Sequence, residues 1–194
     1  MLYQRQEKLD IKVPKKLVTV GVGGAGSWAT LFCALCGTAE ITMIDPDTIE
    51  VSNLNRTPYA ASDVGRLKVD ALSDMIADRR GDTVLIPLAD VFPSLVDIDI
   101  NTVVIDATDD IDTQKEIFDY VNKRGARYIR IGYNGHMVSV SSDPTVVWSG
   151  EEDPDDDTYG TQSWVGSSAL AGLLGLLYAA KMKDERYAKE VSEI

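Results

Sequence analysis

The sequence predicts an α/β fold: a three-layer, Rossmann-like, mostly parallel sheet with an antiparallel C-terminal edge and a closing apolar helix. Three observations carry this expectation. Up to Tyr133, β-branched apolar runs alternate with helix-length segments, and strands joined by helices of that length need crossovers and so pair in parallel. VTVGVGGAGSW (Val18 to Trp28) reads as strand, glycine turn and helix start, the context of a nucleotide-binding βα unit. Beyond Tyr133 the segments shorten to GHMVSVSS and PTVVW around the turn signal Asp143-Pro144, which marks a hairpin or antiparallel edge.

The elements follow in order. KKLVTVGV is a strand, Ala25 to Gly37 an apolar helix, and EITMIDPD a strand ending in acids. Arg66 to Arg80 is an amphipathic helix, DTVLIPLA a strand, NTVVIDATDD a strand running into a loop, Asp112 to Lys123 a helix and ARYIRIGY a strand. VGSSALAGLLGLLYAA (Val165 to Ala180) is diluted by Gly and Ser and is shorter than the ~20 residues a bilayer requires, so it is expected to be a buried closing helix. Gly150 to Gly160, GEEDPDDDTYG, lacks apolar periodicity and is expected to be a flexible acidic loop; it is a solvated connector, or a cover or docking surface for a basic tail. KMKDERYAKEVSEI reads as a charged, fraying helix end. The organisation expected is one domain over 1–194, with residues 1–15 as an N-terminal arm.

Composition limits the partners. With 31 acidic residues against 19 basic ones and a net charge of −12 in 194 residues, the surface offers no general attraction to nucleic acid or anionic lipid. Any phosphate-binding Lys or Arg must therefore be locally placed. MLYQRQEKLDIKVPKK has no apolar core before a cleavage site, so a cytoplasmic location is expected. The only cysteines, Cys33 and Cys36, lie inside the apolar helix, and the chain has one histidine. No zinc is expected, and core packing is favoured over a redox role.

Gly21, Gly23 and Gly26 satisfy G-x-G-x-x-G, so NAD is the first ligand considered. Small residues let the backbone approach a phosphate, and the amides of the following helix face that anion. Gly24, a fourth glycine where the pattern accepts any residue, directs attention to the later strand ends. Asp45 closes the second strand, where a carboxylate holds a ribose in NAD or ATP sites. Asn53, Asn55 and Arg56 follow, with Lys68 at the start of the next helix. An amide, a guanidinium and an ammonium at one strand-end pocket suit a triphosphate better than a pyrophosphate. Asp106, Asp109 and Asp110 end a further apolar strand; one acid would cap the next helix, and the others suit Mg²⁺ shared with substrate phosphates.

GVGGAGS (Gly21 to Ser27), the acids Asp45 and Asp47 with SNLNR (Ser52 to Arg56), GRLK (Gly65 to Lys68) and DATDD (Asp106 to Asp110) occur in order. Together they closely resemble the ubiquitin-activating type adenylyltransferases, the ThiF/MoeB group. The resemblance implies an enzyme that uses ATP and Mg²⁺ to convert a carboxylate, usually the C-terminus of a ubiquitin-like or sulfur-carrier protein, into an acyl-adenylate with release of pyrophosphate. It implies that Gly21, Gly23, Gly24 and Gly26 sit against the nucleotide and that Asp45, with Asp47 beside it, holds the ribose. Asn53, Arg56 and Lys68 would contact the phosphates and Asp109 the Mg²⁺. YQRQ (Tyr3 to Gln6) is similar to the family's Y-x-R-Q, whose Arg enters the partner's site in a homodimer, which makes Arg5 a candidate arginine finger; an exposed terminal Arg is the competing reading. The chain departs from the family in having no Cys after Cys36, hence neither a thioester nucleophile nor zinc pairs. Two alternatives remain: a nucleotide-binding scaffold without turnover, and an NAD-dependent oxidoreductase using His136.

Overall fold

A computed structural model describes residues 3–9, 11–93, 96–144 and 163–180, and the backbone of 187–190. Seven strands form one sheet: β1 (Lys16–Val20), β2 (Glu40–Ile44), β3 (Val84–Leu88), β4 (Thr102–Asp106), β5 (Arg127–Asn134), β6 (Met137–Ser141) and β7 (Tyr187–Glu190). Their order is β3-β2-β1-β4-β5-β6-β7, parallel from β3 through β5 and antiparallel at β6 and β7. The chain leaves β1 toward β2 and β3, then returns to set β4 on the other side of β1. The strand order therefore reverses between β1 and β4, and a crevice opens at their carboxyl ends.

Strand alternation divides the core into two faces. Leu17, Ile41, Met43, Val103, Ile105, Ile129 and Ile131 pack with the buried sides of α1 (Gly24–Cys36), α2 (Lys68–Ala77) and α4 (Val165–Ala179). Val18, Val20, Ile44, Val104 and Tyr128 pack on the other face with Ile117 and Val121 of α3 (Ile111–Asn122) and with Phe92 and Ile98 from the β3–β4 connection. Helices on both faces make the three layers the sequence predicts. α4 is the closing helix, and it lies close to α1. A Cβ on Gly172 would stand 2.6 Å from Trp28 Cβ and 2.8 Å from the Ala29 nitrogen, so the small residues of α4 are what this approach requires. No helix among the described residues is long and apolar enough to cross a membrane.

One element departs from expectation. Tyr187–Glu190 is a strand paired antiparallel with β6, Val140 opposite Tyr187, where the charged sequence suggested a helix end. β6 already pairs with β5 on one side, and its other edge needs a partner for its backbone groups. That non-local demand overrides the local composition. The antiparallel edge predicted from GHMVSVSS is present, but its partners are β5 and β7; PTVVW beyond Pro144 and the acidic segment 150–160 lie outside the described residues.

Cys33 is buried and Cys36 half-buried, both as free thiols, and burial pushes both pKa values up. They pack in α1 as expected. The N-terminal arm docks at the same end of α1. Tyr3 lies against Gly37, its hydroxyl donates to Asp82 at 3.1 Å, and Gln6 Nε2 donates to the Cys36 carbonyl at 2.5 Å.

Candidate active site

The ladder carries three chain segments to one level. Val20 is paired with Ile44 and with Asp106, and the next residues continue the pattern: Gly21 N–H donates to the Ile44 carbonyl at 2.8 Å and Ala107 N–H to the Val20 carbonyl at 2.9 Å. Around them lies a cleft of about 990 Å³ that includes Gly23, Asp45, Arg56, Lys68, Asp109 and Tyr133, large enough for a nucleotide.

The glycines have separate reasons. Gly21 takes φ +80°, a left-handed conformation that favours glycine. A Cβ on Gly26 would collide with the Gly21 carbonyl oxygen at 1.8 Å, so glycine there lets α1 start directly beneath the turn. Gly23 faces open space, which leaves room for an anion. α1 has no side-chain cap at its N-terminus, so its first-turn amides are the donors an anion would meet. The turn is pinned on both sides of Val22. Val22 N–H donates to Asp45 Oδ2 at 2.8 Å, and Tyr59 O–H donates to the Val22 carbonyl at 2.7 Å.

Asp45 is buried, and its other oxygen accepts the Asp47 N–H at 2.9 Å. Lys68 begins α2 with its Nζ 2.7 Å from Asp47 Oδ2 and 3.7 Å from Asp45 Oδ1. Its charge is thus shared with two carboxylates. Arg56 differs. Its guanidinium donates to the Ser52 carbonyl and to Asn55 Oδ1 at 3.1 Å, both neutral, and no salt bridge engages it among the described residues. Its main-chain carbonyl accepts from Trp28 Nε1 of α1 at 3.0 Å and from Ser168 Oγ of α4 at 2.7 Å. A guanidinium outside any of these salt bridges, on a backbone held by two helices, is suited to receive an anion.

The DATDD segment divides its labour. Asp106 is fully buried and shapes the turn, accepting Thr108 N–H at 3.0 Å, Thr108 Oγ1 at 2.7 Å and Tyr128 O–H at 2.7 Å. Asp110 caps α3 by accepting Thr113 N–H at 2.7 Å, and hydrogen bonding from Thr113, first through its side chain and then through its backbone, holds the carboxyl below the usual aspartate range. Asp109 remains, exposed on the cleft. Of the three acids, it is the one suited to a cation. Among the described residues no group of three or more His, Cys, Asp or Glu side chains gathers around a point. A Mg²⁺ held by Asp109 would take its other oxygens from phosphates and water, as this ion does in nucleotide sites.

Several sequence expectations shift. Asn53 does not line the cleft: its Oδ1 accepts the Glu50 N–H at 3.1 Å within its own 3₁₀ turn. Asn55 lines it instead, beside Arg56. Arg5 is exposed on the arm at the far end of α1, about 20 Å from the glycine turn at 1.5 Å rise per residue; it does not line the cleft of its own chain. His136 is exposed on the β5–β6 turn with its ring 6.0 Å from that of Trp164, outside the cleft lining, so the proton carrier required by the oxidoreductase alternative is not at the site. Tyr133 and Gln114 are cleft residues the sequence did not flag. Gln114 is buried, with Nε2 donating to the Thr108 carbonyl at 2.6 Å and Oε1 without a protein partner.

Known proteins resemble this chain in sequence and in fold. Among curated relatives, the tRNA threonylcarbamoyladenosine dehydratase of Haemophilus influenzae is 29% identical over 136 residues, covering 68% of this chain and 51% of that protein. The molybdopterin-synthase adenylyltransferase of Salmonella typhimurium is 32% identical over 108 residues, 53% of this chain and 43% of that one. The chain therefore spans about half or less of these relatives' length. Among solved structures, E. coli MccB with MccA-N7isoASN superposes with a TM-score of 0.74 at 17% identity, covering 96% of this chain and 66% of that one. MccB with ATP gives 0.72 at 17% identity, covering 93% and 65%; at such identity the likeness shows the fold alone. The model of the ThiF family matches residues 4–179, nearly the whole sheet and all four helices, and the chain belongs to the ThiF family.

Proposed function

We propose that this chain is an adenylyltransferase that uses MgATP to activate a carboxylate as an acyl-adenylate. The observation that carries the reading is Arg56, a cation with neutral hydrogen-bond partners, lining the same switch-point cleft as the uncapped N-terminus of α1. ATP lies with its phosphates between Arg56, Lys68 and the glycine turn and its ribose near Asp45 and Asp47. Asp109 would hold Mg²⁺, which when bound would offset negative charge on the phosphates. An oxygen of the substrate carboxylate attacks the α-phosphorus, the bond to the bridging oxygen breaks, and pyrophosphate leaves. The chain's residues take no covalent part; they orient the reactants and offset the charge that develops on phosphate oxygens.

The substrate is the C-terminal tail of a ubiquitin-like or sulfur-carrier protein. Relatives named ubiquitin-like modifier-activating enzyme 5, from Arabidopsis thaliana, and molybdopterin-synthase adenylyltransferase support this class. A carboxylate borne on RNA fits a net charge of −12 less well. Cys33 and Cys36 sit in α1 beyond the cleft lining, so a sulfur or nitrogen nucleophile other than these two thiols consumes the acyl-adenylate. Arg5, exposed and remote from its own cleft, reaches the cleft of a second copy in a homodimer.

The test is ATP–pyrophosphate exchange with ubiquitin-like and sulfur-carrier proteins offered as acyl substrates. Exchange with one of them, lost in Lys68→Ala and Asp109→Ala variants that remain folded, is the expected result. Exchange unchanged in both variants would remove the roles assigned here.

A further inference from the structure

The glycine turn, Arg56, Lys68 and Asp45 account for phosphates and ribose and leave a nucleobase without a partner. The cleft lining continues past β3 through Val91 and Phe92 and into α3 at Gln114. These two segments meet. The Phe92 ring lies edge-on to Tyr120 of α3 with centroids 5.0 Å apart, and Phe92 and α3 pack on the sheet face opposite α1. Val91 is 65% exposed and brings apolar surface to the cleft, whereas Gln114 is 3% exposed and brings a polar group.

The Gln114 amide is held in one orientation. Its Nε2 donates to the Thr108 carbonyl at 2.6 Å, and Thr108 is itself fixed by Asp106, which accepts its N–H at 3.0 Å and its hydroxyl at 2.7 Å. Turning the amide over would set its oxygen against the Thr108 carbonyl. Oε1 is therefore fixed as an acceptor, and it has no hydrogen-bond partner among the described residues. A buried acceptor is costly until a donor reaches it.

We infer that Gln114 reads the nucleobase, its Oε1 accepting a hydrogen bond from the 6-amino group of adenine while Val91 supplies an apolar wall for the ring. The inference rests on the nucleotide reading above and adds what that reading leaves open, the choice of base. Adenine carries an N–H donor at position 6. Guanine and hypoxanthine carry an oxygen there, which would face Oε1 acceptor to acceptor. Because Thr108 engages Nε2, the amide does not turn to satisfy them, and 6-oxopurines are rejected.

The experiment is calorimetric titration of wild type and Gln114→Met with inorganic tripolyphosphate and with three nucleotides as Mg²⁺ complexes: ATP, ITP and purine riboside triphosphate, which has hydrogen in place of the 6-amino group. Methionine keeps the side-chain length and removes both polar atoms. In wild type, purine riboside triphosphate is expected to bind about tenfold and ITP about a hundredfold more weakly than ATP, the range for a buried acceptor left unmet. In Gln114→Met, ATP and purine riboside triphosphate are expected to bind alike and tripolyphosphate as in wild type. Wild-type affinities for ATP and purine riboside triphosphate within twofold overturn the inference, and this comparison stands whether or not the variant folds. Persistence of the wild-type preference in Gln114→Met, or loss of tripolyphosphate by a folded Gln114→Met, also overturns it while leaving the nucleotide site in place. Failure of wild type to bind either ATP or tripolyphosphate overturns the nucleotide reading and this inference with it.

Discussion

Replacing Arg56 by Ala separates function from fold unusually well. The anchors of this segment are made by its carbonyl, which accepts from Trp28 and Ser168 and survives truncation of the side chain. The guanidinium contributes hydrogen bonds to the Ser52 carbonyl and Asn55 near the surface of an open cleft. Losing them is expected to change unfolding free energy by no more than about 1 kcal/mol, since the acceptors become accessible to water. The ligand side is different. A guanidinium that engages phosphate as a fork makes two charge-assisted hydrogen bonds, each about 1.5–3 kcal/mol. Part of this is already spent on the neutral acceptors, so a loss of roughly 3–4 kcal/mol is expected, or a 10²- to 10³-fold weaker MgATP complex. Titration calorimetry with MgATP and urea unfolding of the ligand-free protein measure the two quantities. ATP affinity within threefold of wild type would refute the assignment of Arg56, and a large drop in ligand-free stability would show that the side chain serves the fold.

Other expectations follow from the same geometry. Asp110→Ala removes the α3 cap and lowers the unfolding midpoint without altering Mg²⁺-dependent ATP binding, whereas Asp109→Ala leaves the midpoint unchanged and abolishes the Mg²⁺ dependence; thermal scans and titrations with and without the ion distinguish them. Because the folded pKa of Asp110 is depressed, its contribution is present above the ordinary aspartate value and is lost as pH falls through the lowered one; Asp110→Asn flattens that part of the stability profile. Asp106 has the opposite sign. Burial pushes its pKa up against the hydrogen bonds of Thr108 and Tyr128 and the charge of Arg130, so its ionisation costs stability as pH rises from the ordinary aspartate value through the raised one. Asp106→Asn, which keeps an acceptor for Thr108, is expected to gain on wild type in urea unfolding as pH rises from the ordinary aspartate value through the raised one, and a constant difference across that range would refute the reasoning.

The fold was legible in the sequence because its signals are local. Runs such as LVTV and TVVID announce strands by composition, and Gly37, with φ +102° at the end of α1, stops its helix where the sequence places it. Asp45 and Asp109 were legible for the same reason, each standing one to three residues past a strand. What escaped is non-local. Ser168 reaches the Arg56 carbonyl across 112 positions, and nothing near either residue announces the pair. Tyr133 left one trace, the additional glycine at position 24, where a Cβ would meet the Tyr133 ring, readable only once β5 lies beside α1. The exchange of Asn53 for Asn55 is a question of phase within a three-residue turn, finer than residue type resolves. β7 was missed because its pairing answers the open edge of β6 rather than any propensity in YAKE.

In the proposed function the glycine turn serves a triphosphate in company with Arg56, Lys68 and a Mg²⁺ at Asp109. Calorimetric titration of the protein with ATP and with NAD, each with and without Mg²⁺, tests it without requiring the acyl substrate. The account predicts that ATP binds, more tightly with Mg²⁺, and that NAD does not. Binding of NAD in the absence of ATP binding would contradict it and return the turn to a dinucleotide.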